Sequence, residues 1–374
     1  MTNSREADSL FAPTRLGALE LPNRLVMSPM TRNRADDDGS PNALMAEYYA
    51  QRASAGLIIT EAAIPSPEGV TSPNVAGIYT ESQVAGWRGV AEAVRAAGGR
   101  IIMQMEHGGR IGHRDNSGLD PIAPSPVALP GRVHTPSGRQ AAPIPREMTA
   151  AQISSTVAAF AAAARSGVRA GFAGVEVHAA NGYLLHQFLA DGTNRRTDAY
   201  GGGVANRIRF VVDVVRAVVD AVGPERTGIR ISPGNTINGI TESDTEVLYP
   251  ALLEAIAPFG LAYAHVAYAD PGSPIFAALR RQWRGTLIAN PVLGPDLPIP
   301  ADGGFAAAER LNEAGADLVS LGRAFLANPD LVERLRLGAP LNPVRSKGLD
   351  HTGGAAGYTD YPTLKAGAVK AVIV

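Results

Sequence analysis

Val175-Glu-Val-His-Ala-Ala-Asn-Gly-Tyr-Leu-Leu-His-Gln-Phe-Leu189 opens with a short buried-strand pattern that runs straight into His178, Asn181 and Tyr183. An apolar strand ending in an imidazole, an amide and a phenol resembles the tip of a strand in a βα-barrel, where side chains meet a ligand at the barrel mouth. His178 and Asn181 can both donate hydrogen bonds to one oxygen. Tyr183 offers an O–H whose ordinary pKa of about 10 keeps it protonated at neutral pH. Two donors on a carbonyl or nitro oxygen, with an acid for a neighbouring carbon, suit reduction of an activated double bond. Taken alone, the same residues also read as a satisfied core histidine and a packing tyrosine.

Working outward, the chain alternates strand-like and helix-like stretches. Residues 10–23 read as a small hairpin before a first strand at 24–29. Residues 43–55 have helical composition, Gly56 stops them, and 57–61 is a β-branched run. A helix over 81–97, capped by Thr80 and Gln83, precedes a strand at 100–106. Thr149 with Gln152, and Ser243 with Glu246, repeat the capping spacing before two further helices. Additional strands are expected at 174–178, 228–232, 262–268, within 286–302, and at 318–321. About eight strands alternating with helices call for a (β/α)₈ TIM barrel, α/β in class, with an N-terminal hairpin. For the seventh strand, 286–290 is preferred over 297–301, whose two prolines argue against a central strand. Residues 108–147 break the rhythm and read as a long Gly/Pro-rich excursion after the third strand, lying over the mouth. Nothing marks a second domain, so residues 1–374 are expected to form one.

The length of 374 residues suits one barrel with insertions, and 45% hydrophobic with 18% charged residues is ordinary for a large core. A formal net charge of −1 gives no electrostatic reason to expect nucleic acid or an anionic membrane as partner. With zero cysteines there is no disulfide, thiolate metal site or cysteine-ligated cluster, and no metal is expected. The N-terminus lacks an apolar signal region and no run is long enough to span a bilayer, which points to the cytoplasm. Monomer and homodimer both remain open.

The opening stretch, continued through Asn194-Arg-Arg-Thr-Asp-Ala-Tyr-Gly-Gly202 to Asn206-Arg207, resembles the signature of the Old Yellow Enzyme family of flavin-dependent ene-reductases. Similar segments follow in the same order from Leu10-Phe-Ala-Pro13 to Gly357-Tyr-Thr-Asp-Tyr-Pro362, nearly the whole chain. Within that family the chain looks most like bacterial enzymes acting on nitrate esters and enones, and like plant 12-oxophytodienoate reductases. The absence of cysteine sets it apart from the cluster-bearing dienoyl reductases and from the branch with a cysteine beside the flavin.

The resemblance implies a non-covalent FMN, NADPH or NADH as reductant, and an enone or nitro compound as substrate, with His178, Asn181 and Tyr183 catalytic. Reductive denitration of nitrate esters and a flavin-dependent isomerase or dehydrogenase role are the alternatives. It also implies that Pro29, Met30 and Thr31 lie along the flavin. Thr31, at the end of the first strand, would reach its O4. Ala62 would let the ring approach the backbone and Gln104 would read its pyrimidine edge. Arg230 stands between apolar residues on a strand that should be buried, where an unpaired guanidinium is expensive. It matches the family's cation near N1 and O2, with a structural salt bridge as the other reading. Gly303, Gly304, Gly322 and Arg323, in the last two βα units, resemble a barrel phosphate site. Phe305 is expected near the dimethylbenzene edge.

One departure stands out. Where the family commonly reads Gln-Leu-Trp-His on the third strand, this chain has Gln104-Met-Glu-His107. Gln104 and Glu106 face the same way, so Glu106 replaces a wall of the substrate pocket. A carboxylate there needs pairing or solvation, and Arg110 and His107 are near in sequence. Glu106 is expected to open and polarise the pocket in favour of a bulkier or more polar enone; the other reading is that it turns to solvent and plays no part. Tyr358 matches a C-terminal aromatic that lines the same pocket, and both it and Phe305 read equally as ordinary core aromatics.

Overall fold

In the computed structural model, which describes residues 9–293, 298–345 and 354–365, eight parallel strands close into a barrel in chain order. They are β1 (Leu25–Met27), β2 (Leu57–Ala63), β3 (Ile101–Met105), β4 (Val175–Ala179), β5 (Thr227–Ile231), β6 (Tyr263–Ala269), β7 (Thr286–Pro291) and β8 (Leu318–Leu321). Pairing of β8 with β1 seals the ring. Thr286–Pro291 is thus the seventh strand, as preferred. Residues 298–300 form no strand, and Leu297 of the alternative run lies outside the described residues.

Period-two alternation sorts each strand's side chains between two cores. On β4, Val175, Val177 and Ala179 join the large apolar cluster shared with the surrounding helices, whereas Glu176 and His178 point into the barrel. Helix Glu81–Ala96 supplies Val84, Trp87, Val90, Ala91 and Val94 to that outer cluster at spacings of three and four, the signature of one buried helical face. The capping boxes at Thr80/Gln83 and Thr149/Gln152 are formed as expected. The third is not. Helix Thr245–Ile256 starts after Asp244, because the Ser243 hydroxyl donates to Asp191 Oδ2 at 2.5 Å instead of capping its own helix. The helix expected over 43–55 ends at Ala50. Gly56 follows a turn where a Cβ would lie 2.1 Å from the Asn23 carbonyl oxygen.

The barrel interior is layered. Its lower half is apolar, built from Val26, Leu57, Ile59, Ile102, Tyr263, Ile288 and Leu318. The N-terminal hairpin, Thr14–Leu16 with Leu19–Leu21, closes this end by adding Leu16 and Leu21. Gly228 makes room for the Tyr263 ring, since a Cβ there would come within 2.2 Å of it. Above lies a polar layer containing Gln104, Glu176, His265 and Ser320, all buried.

Residues 108–147 are more ordered than their composition suggested. Arg132–Thr135 pairs antiparallel with Gly138–Ala141, and Ile122–Ala123 pairs with Arg146–Glu147. Strands of two to four residues are too short to show periodicity in a sequence. Among the described residues no helix is long and apolar enough to cross a membrane.

Candidate functional site

The strands' C-terminal ends open into a cavity of about 1270 Å³. Pro29, Met30, Thr31, Gln104, Glu106, His178, Asn181, Tyr183, Arg230, Gly303 and Arg323 all line it, so residues spread over nearly three hundred positions converge there. Among the described lining residues, five are arginines (Arg32, Arg139, Arg230, Arg323 and Arg345) and one carries a carboxyl, Glu106. The cavity is electropositive. Among the described residues no group of His, Asp and Glu could hold a metal ion.

His178 is held by a chain of hydrogen bonds rising from the polar layer. Gln104 Nε2 donates to Glu176 Oε1 at 2.7 Å and lies 3.4 Å from His178 Nδ1. Glu176 Oε2 is 2.9 Å from His265 Nδ1, and His265 Nε2 is 2.8 Å from the Ser320 hydroxyl. Because Glu176 must receive an N–H from Gln104, the amide's second N–H faces Nδ1 and leaves the His178 proton on Nε2, toward the cavity. Burial, with Arg230 nearby, holds the His178 pKa well below the ordinary histidine range, so the ring is a neutral donor.

Asn181 and Tyr183 are set by a strained turn. Asn181 has φ +56° and Gly182 φ +81°; a side chain at 182 would meet Asn238 Cβ at 2.6 Å. The Asn181 N–H donates to the Ser232 hydroxyl, its carbonyl accepts from Asn238, and the Gly182 N–H donates to His186 Nδ1. His186 is braced by Glu242 and Tyr249. Asn181 Oδ1 is buried without a partner among the described residues. Backbone strain with unused hydrogen-bonding capacity at a cavity wall is typical of a ligand site. Glu106, burial and Tyr268 push the Tyr183 phenol well above its ordinary value. It remains an O–H donor.

Arg230 is 5% exposed, and among the described residues its guanidinium reaches Asn290 Oδ1 at 3.4 Å while its Nε has no partner. It makes no ion pair among the described residues, so the salt-bridge reading does not hold. Removal from water is the main cause lowering its pKa. A buried guanidinium without a counter-ion is costly unless a ligand brings negative charge.

Glu106 is 3% exposed. The expected partners do not meet it. The Arg110 guanidinium donates to the carbonyls of Val127, Ala128, Asn238 and Gly239, and His107 Nδ1 accepts from the Gly109 N–H. Glu106 Oε2 instead lies 3.5 Å from His178 Nε2. Burial pushes the Glu106 carboxyl up to about 8, against the opposing pull of Arg230.

Other expected residues are not among those that line this cavity. Tyr358 is fully buried and is not part of the cavity lining: its ring stacks on Tyr48 with centroids 4.0 Å apart, and Arg32 and Arg34 lie over it at 5.2 and 5.0 Å. The cation–π sandwich draws it into the core. Ala62 is buried opposite Gln104 without reaching the cavity surface, and Phe305 stacks on Phe11. Gly304 lies behind the lining, and Gly322 borders an adjoining hollow of about 180 Å³. The Gly303 and Gly304 N–H groups donate to Pro300 O and Asp302 Oδ1. Both glycines adopt positive φ, +70° and +90°, a backbone conformation that side chains rarely take. The first strand ends at Met27, so Thr31 is presented by a loop.

The sequence reading missed Tyr268, His134, Arg139 and Arg345 in the lining. Tyr268 sits at an irregularity in β6 with φ +55°, which strict alternation does not reveal. Glu176 was in plain view, two residues before His178, and the period-two rule places both inside the barrel.

Comparison with known proteins agrees with this geometry. The model of the NADH:flavin oxidoreductase / NADH oxidase family matches residues 9–342. The chain is 40% identical over 373 residues to a probable flavin mononucleotide-dependent alkene reductase of Leishmania infantum, covering 96% of this chain and 99% of that one. It is 38% identical over 382 residues to 12-oxophytodienoate reductase 7 of Oryza sativa subsp. japonica, covering 95% and 94%. Among solved structures, morphinone reductase in complex with tetrahydroNAD superposes with a TM-score of 0.88 at 42% identity, covering 96% and 98%. The old yellow enzyme homologue from Zymomonas mobilis gives 0.89 at 38% identity, covering 95% and 100%. With matches this long on a barrel whose mouth gathers these residues, the chain belongs to the NADH:flavin oxidoreductase / NADH oxidase family, the Old Yellow Enzyme family that its sequence resembles.

Proposed function

We propose that this chain is an FMN-dependent ene-reductase that reduces alkenes conjugated to a carbonyl or nitro group, with NADPH or NADH as the hydride source. The observation that carries the reading is Arg230, a buried cation that makes no close ion pair among the described residues, lining the same cavity as His178, Asn181 and Tyr183. Such a site fits a flavin whose reduced form is anionic. Arg323, with the lining arginines around it, suits a phosphate. Gln104, Thr31 and the backbone of Pro29 and Met30 would complete the cradle.

Bound FMN supplies the hydride. The chain's own part is to hold and polarise the acceptor. His178 Nε2–H and the Asn181 amide donate to the substrate oxygen, stabilising the negative charge that develops on it. The Tyr183 O–H delivers a proton to the carbon next to the activating group. Arg230 balances charge on the cofactor side. We further infer that residues 1–374 act as one FMN-binding unit with 108–147 over its mouth, in the cytoplasm, as monomer or homodimer.

The test is anaerobic titration of the purified yellow protein. Its flavin absorbance should bleach with NADPH or NADH and return on adding 2-cyclohexen-1-one or a nitroalkene. A colourless protein, or bleaching that no such acceptor reverses, would overturn the reading.

A further inference from the structure

We propose that Glu106 works as a neutral carboxylic acid, a third hydrogen-bond donor to the substrate oxygen held by His178 and Asn181, so that full activation of the acceptor requires that carboxyl to keep its proton. The inference rests on the ene-reductase reading of the same site and adds a catalytic residue to it.

The carboxyl lines the cavity, is 3% exposed, and takes part in no hydrogen bond with any described residue. His178 Nε2 faces it, 3.5 Å from Oε2. That separation is too long for a good hydrogen bond between them. It leaves room for one ligand oxygen about 2.8 Å from each, the normal span of an O–H···O contact. An ionised Glu106 would instead face that oxygen as one acceptor facing another, and would disfavour negative charge developing there.

The surrounding groups decide which form is present. From β4 the neighbour is His178, neutral and donating. Tyr183 follows it, and Tyr268 comes from β6. From β5 comes Arg230, a cation that favours ionisation of Glu106. Glu61 on β2 is turned toward Tyr49 and the Arg32 N–H, and Glu176 toward Gln104 and His265. Burial outweighs Arg230 and lifts the carboxyl to about 8. Below that pH Glu106 carries its proton, as a carboxylic acid does when an apolar site makes it an oxyanion-hole donor.

The experiment is stopped-flow reoxidation of the reduced holoenzyme by 2-cyclohexen-1-one, from about pH 6 to about pH 9.5, with reduction by nicotinamide followed in parallel. The wild-type reoxidation rate should fall as pH rises through about 8. Glu106→Leu should slow reoxidation roughly tenfold to a hundredfold at pH 7, the worth of one hydrogen bond to a charged group. Glu106→Gln, which keeps an N–H donor, should lose less and show no step near pH 8. An infrared band of a protonated carboxyl, present at pH 7 and absent in Glu106→Gln, gives a readout independent of turnover. A pH profile shared by wild type and Glu106→Gln, or the lack of that band, would overturn the proposal while leaving the ene-reductase reading intact. A wild-type flavin that no enone reoxidises would overturn both.

Discussion

The two halves of the barrel interior are built from the same strands but obey opposite rules. Below, Val26, Leu57, Ile59, Ile102, Ile288 and Leu318 interdigitate and are sealed by the hairpin leucines. Above, every second residue becomes polar or charged: Ile102 gives way to Gln104, Ile288 to Asn290, Leu318 to Ser320. The change occurs within one step of strand alternation. The lower half contributes burial. Among the described residues, the upper half holds a buried guanidinium without a close ion pair, an unpartnered amide oxygen and a carboxyl without a hydrogen bond, each of which costs stability in the free protein. Substitutions in the lower half should therefore act on stability, and those in the upper half on chemistry.

The sharpest way to break that contrast is Tyr183→Phe. It should slow enone-driven flavin reoxidation by roughly 10²- to 10⁴-fold, as loss of a general acid does, while reduction by nicotinamide stays nearly intact. Equal slowing of both half-reactions in stopped flow would remove Tyr183 from the proton-donor role. Next comes His178→Leu, for which loss of one oxyanion donor should cost roughly 10²- to 10³-fold in reoxidation. Neither substitution should lower the melting temperature.

Ile59→Ala tests the other half. Deleting a fully buried side chain from the apolar layer should cost about 2–5 kcal/mol in unfolding free energy. The rate constants of the surviving native enzyme should not change, and a changed reoxidation rate would show that the halves are coupled. Thr149→Ala, which removes a formed capping box, should cost only about 1 kcal/mol and leave the chemistry untouched.

Glu106 links pH to stability in the upper half. Its folded pKa of about 8 lies above the ordinary carboxyl value of 4.5. Between those pH values the folded state holds a proton that the unfolded state has released, so this group's contribution to stability falls as pH rises through the window. Glu106→Gln should flatten that slope, which thermal melts across the range would show directly.

Much of this was legible in the sequence because a barrel repeats one local rule. The alternation of strands with helices gave eight strands, the two prolines between 297 and 301 kept the seventh in place at Thr286, and the two threonine capping boxes marked helix starts. Gln104, Glu106, His178 and Arg230 reach one cavity because the period of two determines which face a strand residue takes, whereas Asn181 and Tyr183 reach it from the turn after β4. The misreadings involve partners. Ser243 bonds to Asp191, Arg110 is engaged by carbonyls from two distant loops, and Tyr358 packs between Tyr48 and two arginines.

The sequence by itself determined the barrel, its polar mouth and which side chains point inward, because those follow from backbone geometry over a few residues. Only the tertiary structure decided that Glu176 orients Gln104 and thereby fixes the proton of His178, and that Glu106 faces His178 without a partner of its own. Those pairings join residues 72 positions apart in one case and 89 in another along the same buried chain. Closure of the sheet brings them within hydrogen-bond distance, and no local pattern records it.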